Sequence, residues 1–176
     1  MAGEVRIEPQ VERDGPKMKK GKVKRILRWV LLVGVCLFAI AQVVRPAKTN
    51  PPVDASMTLE SHVAVDPQVA GILDRACADC HSNKTRWPWY SDVAPVSWFV
   101  IDHVNDGRGH LNYSEWGKYD ASEQRGLLRQ TCLMVKKGAM PISSYTPMHP
   151  SSKLTADDVT LLCQWTDKAR GQTPER

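Results

Sequence analysis

Five residues constrain this chain more than any other stretch: Cys77-Ala78-Asp79-Cys80-His81. On a helical turn Cys77 and Cys80 stand i,i+3 and Cys77 and His81 stand i,i+4, so two thiols and an imidazole project from one face. C-x-x-C-H is the spacing by which a c-type haem is attached. Each thiol forms a thioether to a vinyl group, and the histidine offers an axial nitrogen to the iron. Two other chemistries share part of the pattern. A thioredoxin-type site expects C-x-x-C at a helix N-terminus within a strand-helix-strand unit, whereas here the motif closes an apolar helix. A structural zinc site would draw Cys132 or Cys163 to Cys77, Cys80 and His81, but it lacks a second close pair of ligands.

Charge is unevenly placed. Residues 1–28 hold nine of the 24 Lys/Arg and four of the 19 Asp/Glu, so the remainder carries fifteen of each and is neutral. The basic balance therefore belongs to a leader and not to a folded body, which argues against nucleic-acid binding. An uncharged apolar run extends from Trp29 to Val44. As a helix its sixteen residues rise about 24 Å, short of a ~30 Å hydrocarbon core unless Arg28 and Arg45 snorkel. We expect residues 1–25 to be a disordered cytoplasmic leader and residues 26–44 a single transmembrane anchor. Ala39-Ile40-Ala41 also resembles a processing site, so a signal peptide competes with the anchor. Either reading exports the chain beyond Arg45. Residues 45–65, with Pro46, Pro51 and Pro52, read as a proline-rich linker.

From Asp66 the punctuation is helical. Asp66-Pro67 offers a cap for a stripe of Val69, Ile72, Leu73, Ala76 and Cys77. Further helices are expected from Pro95 to Gly107, from Asp120 to Gly138 and from Thr155 to Gly171. Without an alternating strand pattern the class is all-α, a small helical domain over residues 66–171 built around one covalent haem. Cys132 and Cys163 fall on two of these helices, where they either pair or stay as buried thiols. Cys36 lies in the apolar run as a small hydrophobe.

The second side of the iron is less constrained. Met140-Pro141 comes after Gly138-Ala139 and ahead of a loop that can lay a thioether over the open haem face. Met148 and His149 are rivals in the same loop, and Met134 reads as a core residue. His103 and His110 are further imidazoles. Five tryptophans beyond the apolar run, Trp87, Trp89, Trp98, Trp116 and Trp165, together with Tyr90, serve either the haem pocket or the ordinary core. Lys84, Arg86 and Arg108 are either propionate partners or solvated charges.

The stretch from Cys80-His81-Ser82-Asn83 through Arg86-Trp87-Pro88-Trp89-Tyr90-Ser91 continues into Ala94-Pro95-Val96-Ser97-Trp98. With Gly107-Arg108, Leu111-Asn112-Tyr113-Ser114-Glu115-Trp116, Met140-Pro141, His149-Pro150, Lys153-Leu154 and Asn50-Pro51-Pro52, it closely resembles the bacterial haem-binding domain family defined around C-x-x-C-H. The resemblance implies an exported, membrane-anchored mono-haem c-type protein related to small cytochromes. It further implies that Cys77 and Cys80 carry the thioethers, that His81 is the proximal ligand and that Met140 is the distal one. The function expected is a one-electron carrier rather than a catalyst, with a peroxidase-like enzyme or a haem-based sensor as the alternatives. The expected setting is the bacterial inner membrane, single-pass. The N-terminus lies in the cytoplasm, the haem domain faces the periplasm, and the partners are the bilayer and transient redox proteins.

Overall fold

A computed structural model describes residues 20–172, which divide into two compact units meeting at Val43 and Val44. The first contains helix α1, Lys20–Ala41. Residues 1–19 of the expected leader lie outside the described residues, and its last six are already helical. Gln42 ends the helix, its backbone and side-chain nitrogens both donating to the Phe38 carbonyl at 3.2 and 3.1 Å. The helix thus stops three residues short of the expected end of the anchor at residue 44. Only thirteen residues of the apolar run, 29–41, are helical, a rise of about 20 Å, and Lys24, Arg25 and Arg28 occupy the preceding turn. No helix among the described residues is long and apolar enough to cross a membrane.

The second unit is all-helical, with no strand among the described residues. It comprises α2 (Leu59–His62), α3 (Pro67–Ala76), α4 (Ala78–His81), α5 (Val96–His110), α6 (Ala121–Lys136) and α7 (Ala156–Gln172), joined by short 3₁₀ turns. Caps set the starts. Asp66 Oδ1 accepts from Gln68 and Val69 N–H at 3.1 and 3.0 Å, with Pro67 in the first turn, where a missing N–H costs nothing. Asp120 and Glu123 form a reciprocal capping box on α6, and Thr155 and Asp158 do the same for α7.

The apolar faces of α3, α6 and α7 close one core around Val69, Leu73, Leu128, Leu162 and Trp165. Each such side chain contributes roughly 1.5–3 kcal/mol by leaving water. Cys132 and Cys163, left open by the sequence, are disulfide-bonded and staple α6 to α7. Closing a loop of 31 residues stabilises by roughly 3–4 kcal/mol on the chain-entropy account.

Residues 45–65 are no free linker. Leu59 is fully buried in the core beside Val63, and Trp165 Nε1 donates to the Ala64 carbonyl at 2.9 Å. Upstream, Arg108 fixes the segment with a fork to the Thr49 carbonyl (2.7 Å) and Asn50 Oδ1 (2.9 Å). The prolines stiffen an ordered strap that the body holds down. The folded unit thus begins well before the expected boundary at Asp66.

Candidate functional site

The chemistry-bearing turn is built by a break. Cys77 departs from helical geometry (φ −127°, ψ −39°), ending α3 and starting α4, so the motif has its own short turn instead of closing the preceding helix. The turn is nonetheless helical, since His81 N–H donates to the Cys77 carbonyl at 2.9 Å. Helix α5 lies against it with almost no gap. A Cβ on Gly107 would stand 2.5 Å from the Cys80 carbonyl oxygen, so only glycine permits this approach. Helix α5 runs through Gly107, expected as its stop, to His110, so this glycine serves the contact and not a helix end.

The close packing orients His81. Its Nδ1 lies 2.9 Å from the Gly107 carbonyl and 3.0 Å from the Leu111 carbonyl, which both accept, so the proton sits on Nδ1 and Nε2 keeps a free lone pair. Burial lowers the His81 pKa against the pull of those two carbonyls, which favours the neutral, ligating imidazole. Burial likewise pushes the Cys77 thiol up to about 12 and that of Cys80 to about 11. Both cysteines are free, in contrast to the bonded Cys132 and Cys163.

Cys77, Cys80 and His81 open onto one predominantly apolar cavity of about 700 Å³. Leu111 just after α5 and Leu127, Met134 and Val135 of α6 line it, with Tyr113 beside Cys77. The loop after α6 contributes Met140, Pro141, Ile142 and Tyr145. Gly138 makes that return possible. It adopts φ +65°, and the N–H groups of Ala139 and Met140 then fold back onto the Met134 carbonyl at 3.0 and 3.3 Å. The two methionines of the cavity are therefore near neighbours.

The rivals separate by position. Met148 is exposed and does not line the cavity. His149 is also outside it, stacked on Tyr145 at 4.1 Å with Nε2 at 2.6 Å from the Tyr90 hydroxyl. His103 and His110 both line it, each with Nδ1 held by the carbonyl one turn back, Phe99 and Asp106. No tryptophan lines the cavity; Trp116 and Trp165 are core, and Trp87 Nε1 donates to Asn50 Oδ1 at 3.1 Å. Arg108 is half-buried and spends its fork on Ser82, Thr49, Asn50 and Thr85.

Asp79, silent in the motif, is the buried hub of the turn. Its Oδ1 accepts from the backbone and Nε of Arg86, both at 3.0 Å, and its Oδ2 from the Tyr145 hydroxyl at 2.6 Å. Neither this hub nor the Gly107 contact has a local sequence signal, because the partners come from different elements.

A covalently held, axially ligated macrocycle needs two thiols, an imidazole with its lone pair free and a largely apolar pocket, and this cavity combines them. Residues 36–168 match the family described as haem-binding domain. No curated protein and no solved structure matches the chain.

Proposed function

The chain belongs to the haem-binding domain family, with haem as its cofactor, and on that premise we propose that it is a cytochrome c-like mono-haem protein that carries single electrons. One observation carries the reading: the C-x-x-C-H turn faces an apolar cavity with His81 Nδ1 already committed to two carbonyls. When bound, haem supplies a one-electron couple at its iron. The chain does the rest. Cys77 and Cys80 would hold the haem through thioethers, each thiol adding its sulfur and hydrogen across one vinyl group. His81 would hold the iron through Nε2 and Met140 through its thioether, a pair that would favour the ferrous state and a raised potential. The apolar walls exclude water and keep the couple in a low-dielectric setting.

Export to the periplasm is part of the same reading. It is supported by the Cys132–Cys163 disulfide, which persists where thiols oxidise, and by the basic-then-apolar order of the N-terminal residues. Its redox partners would be transient, since electron-transfer encounters are small and weak. Residence at the inner membrane rests on that same leader order.

A second reading has one observation in its favour. His103 and His110 line the cavity, and a peroxidase-like enzyme or a ligand-exchange sensor needs such a polar group beside an open sixth position. An absorption spectrum of the purified full chain decides between them. A low-spin spectrum with a far-red ferric methionine band supports the carrier, and a five-coordinate high-spin spectrum overturns it. Met140→Ala should abolish the band; its survival would move the ligand to Met134.

A further inference from the structure

The loop that carries Met140 returns to the C-x-x-C-H turn through one side chain. Tyr145 lines the cavity, and its hydroxyl donates to Asp79 Oδ2 at 2.6 Å. Asp79 lies inside the motif, two residues before His81, and is itself locked by Arg86. Behind Tyr145 the ring is backed by His149, stacked at 4.1 Å with planes 12° apart, and the Tyr90 hydroxyl holds His149 Nε2. A hydrogen bond to a buried, charge-paired carboxylate is among the stronger single contacts available. Burial and the bond to Asp79 also raise the Tyr145 pKa, so the phenol stays a donor. The bond therefore links the loop directly to the turn.

We propose that Tyr145 is the positioning residue of the distal loop: through Asp79 it ties the loop bearing Met140 to the turn bearing His81, and so sets how firmly Met140 holds the sixth position. This rests on His81 and Met140 being the two axial ligands. Without the hydroxyl the covalent attachment is untouched, but the loop gains freedom to swing away and outside ligands compete better for the iron.

The test uses the full chain loaded with its haem and titrates the ferric protein with imidazole. Tyr145→Phe keeps the ring on His149 and removes only the donor. It should carry haem at wild-type stoichiometry, weaken the far-red methionine band and bind imidazole roughly tenfold more tightly or better. Asp79→Asn still offers the hydroxyl an acceptor and should give a smaller gain, which keeps the idea testable if Tyr145→Phe loads poorly. Tyr90→Phe loosens His149 but leaves the bond to Asp79, and should change affinity far less. Unchanged imidazole affinity in whichever of the first two loads haem overturns the proposal, as does an equal gain in Tyr90→Phe. A wild-type protein lacking the methionine band overturns the His81–Met140 ligation, and this proposal with it.

Discussion

At Gly107 two general rules oppose each other. Replacing a helical glycine by alanine ordinarily stabilises by about 1 kcal/mol, because alanine gives up less backbone entropy on folding. Here the added methyl would meet the Cys80 carbonyl at 2.5 Å, and that carbonyl belongs to the turn whose next residue is His81. Backbone cannot swing aside as a flexible side chain would, so overpacking at about 1–3 kcal/mol should win. Gly107→Ala is expected to lower the thermal midpoint and reduce haem loading. Gly126→Ala on α6, where a Cβ meets nothing within 4 Å, should raise the midpoint through the ordinary effect. A pair of melting curves checks both, and a Gly107→Ala protein as stable as wild type would show that α4 gives way to the added methyl at little cost. At this scale the grouping of Cys77, Cys80 and His81 on one helical turn was legible from spacing alone. Gly107 and the Tyr145–Asp79 bond were not, since the latter joins residues 66 positions apart.

Among the elements, α3 and α7 are tied at one end by an ion pair. Arg75 meets Asp158 at 2.7 Å, and Asp158 also caps α7 by accepting from Thr155 N–H at 2.8 Å. Burial raises the Asp158 pKa, but the Arg75 and Thr155 hydrogen bonds outweigh it and hold the carboxyl below its ordinary value. A folded value below the unfolded one contributes stability that is present above the unfolded pKa, about 4, and is lost as pH falls through the folded value. Asp158→Asn should therefore cost about 1 kcal/mol at pH 7, with the gap to wild type closing below about pH 4. Urea midpoints across that range check it, and a gap independent of pH would assign the cost to the lost cap geometry alone. The helices from Asp66 onward were legible because caps and apolar stripes are local signals. The strap before them was not: its prolines read as a linker, while the contacts that hold it come from Arg108 and Trp165, far along the chain.

For the whole molecule, the all-α class comes from helical periodicity, but the cavity needed the α6–loop return that no local pattern announces. Export, covalent haem and disulfide formation are separate claims about one chain, and its five cysteines separate them. Unfolded and alkylated without reductant, each free thiol adds one label. An exported protein with haem on Cys77 and Cys80 and Cys132 bonded to Cys163 leaves Cys36 alone, so one label is expected. Cleavage after Ala41 removes Cys36 with the leader and gives none. A disulfide without thioethers gives three, which would leave haem held by ligation only. Retention where thiols stay reduced, with no attachment, gives five. Mass spectrometry of the alkylated chain reads the number directly, and the retained haem mass confirms which cysteines are spent. Three labels without the haem mass would sink the c-type attachment while sparing export, three with it would sink the disulfide instead, and five would sink both. A count of one or none is the outcome expected if the proposed attachment and export both hold, with Cys132 bonded to Cys163.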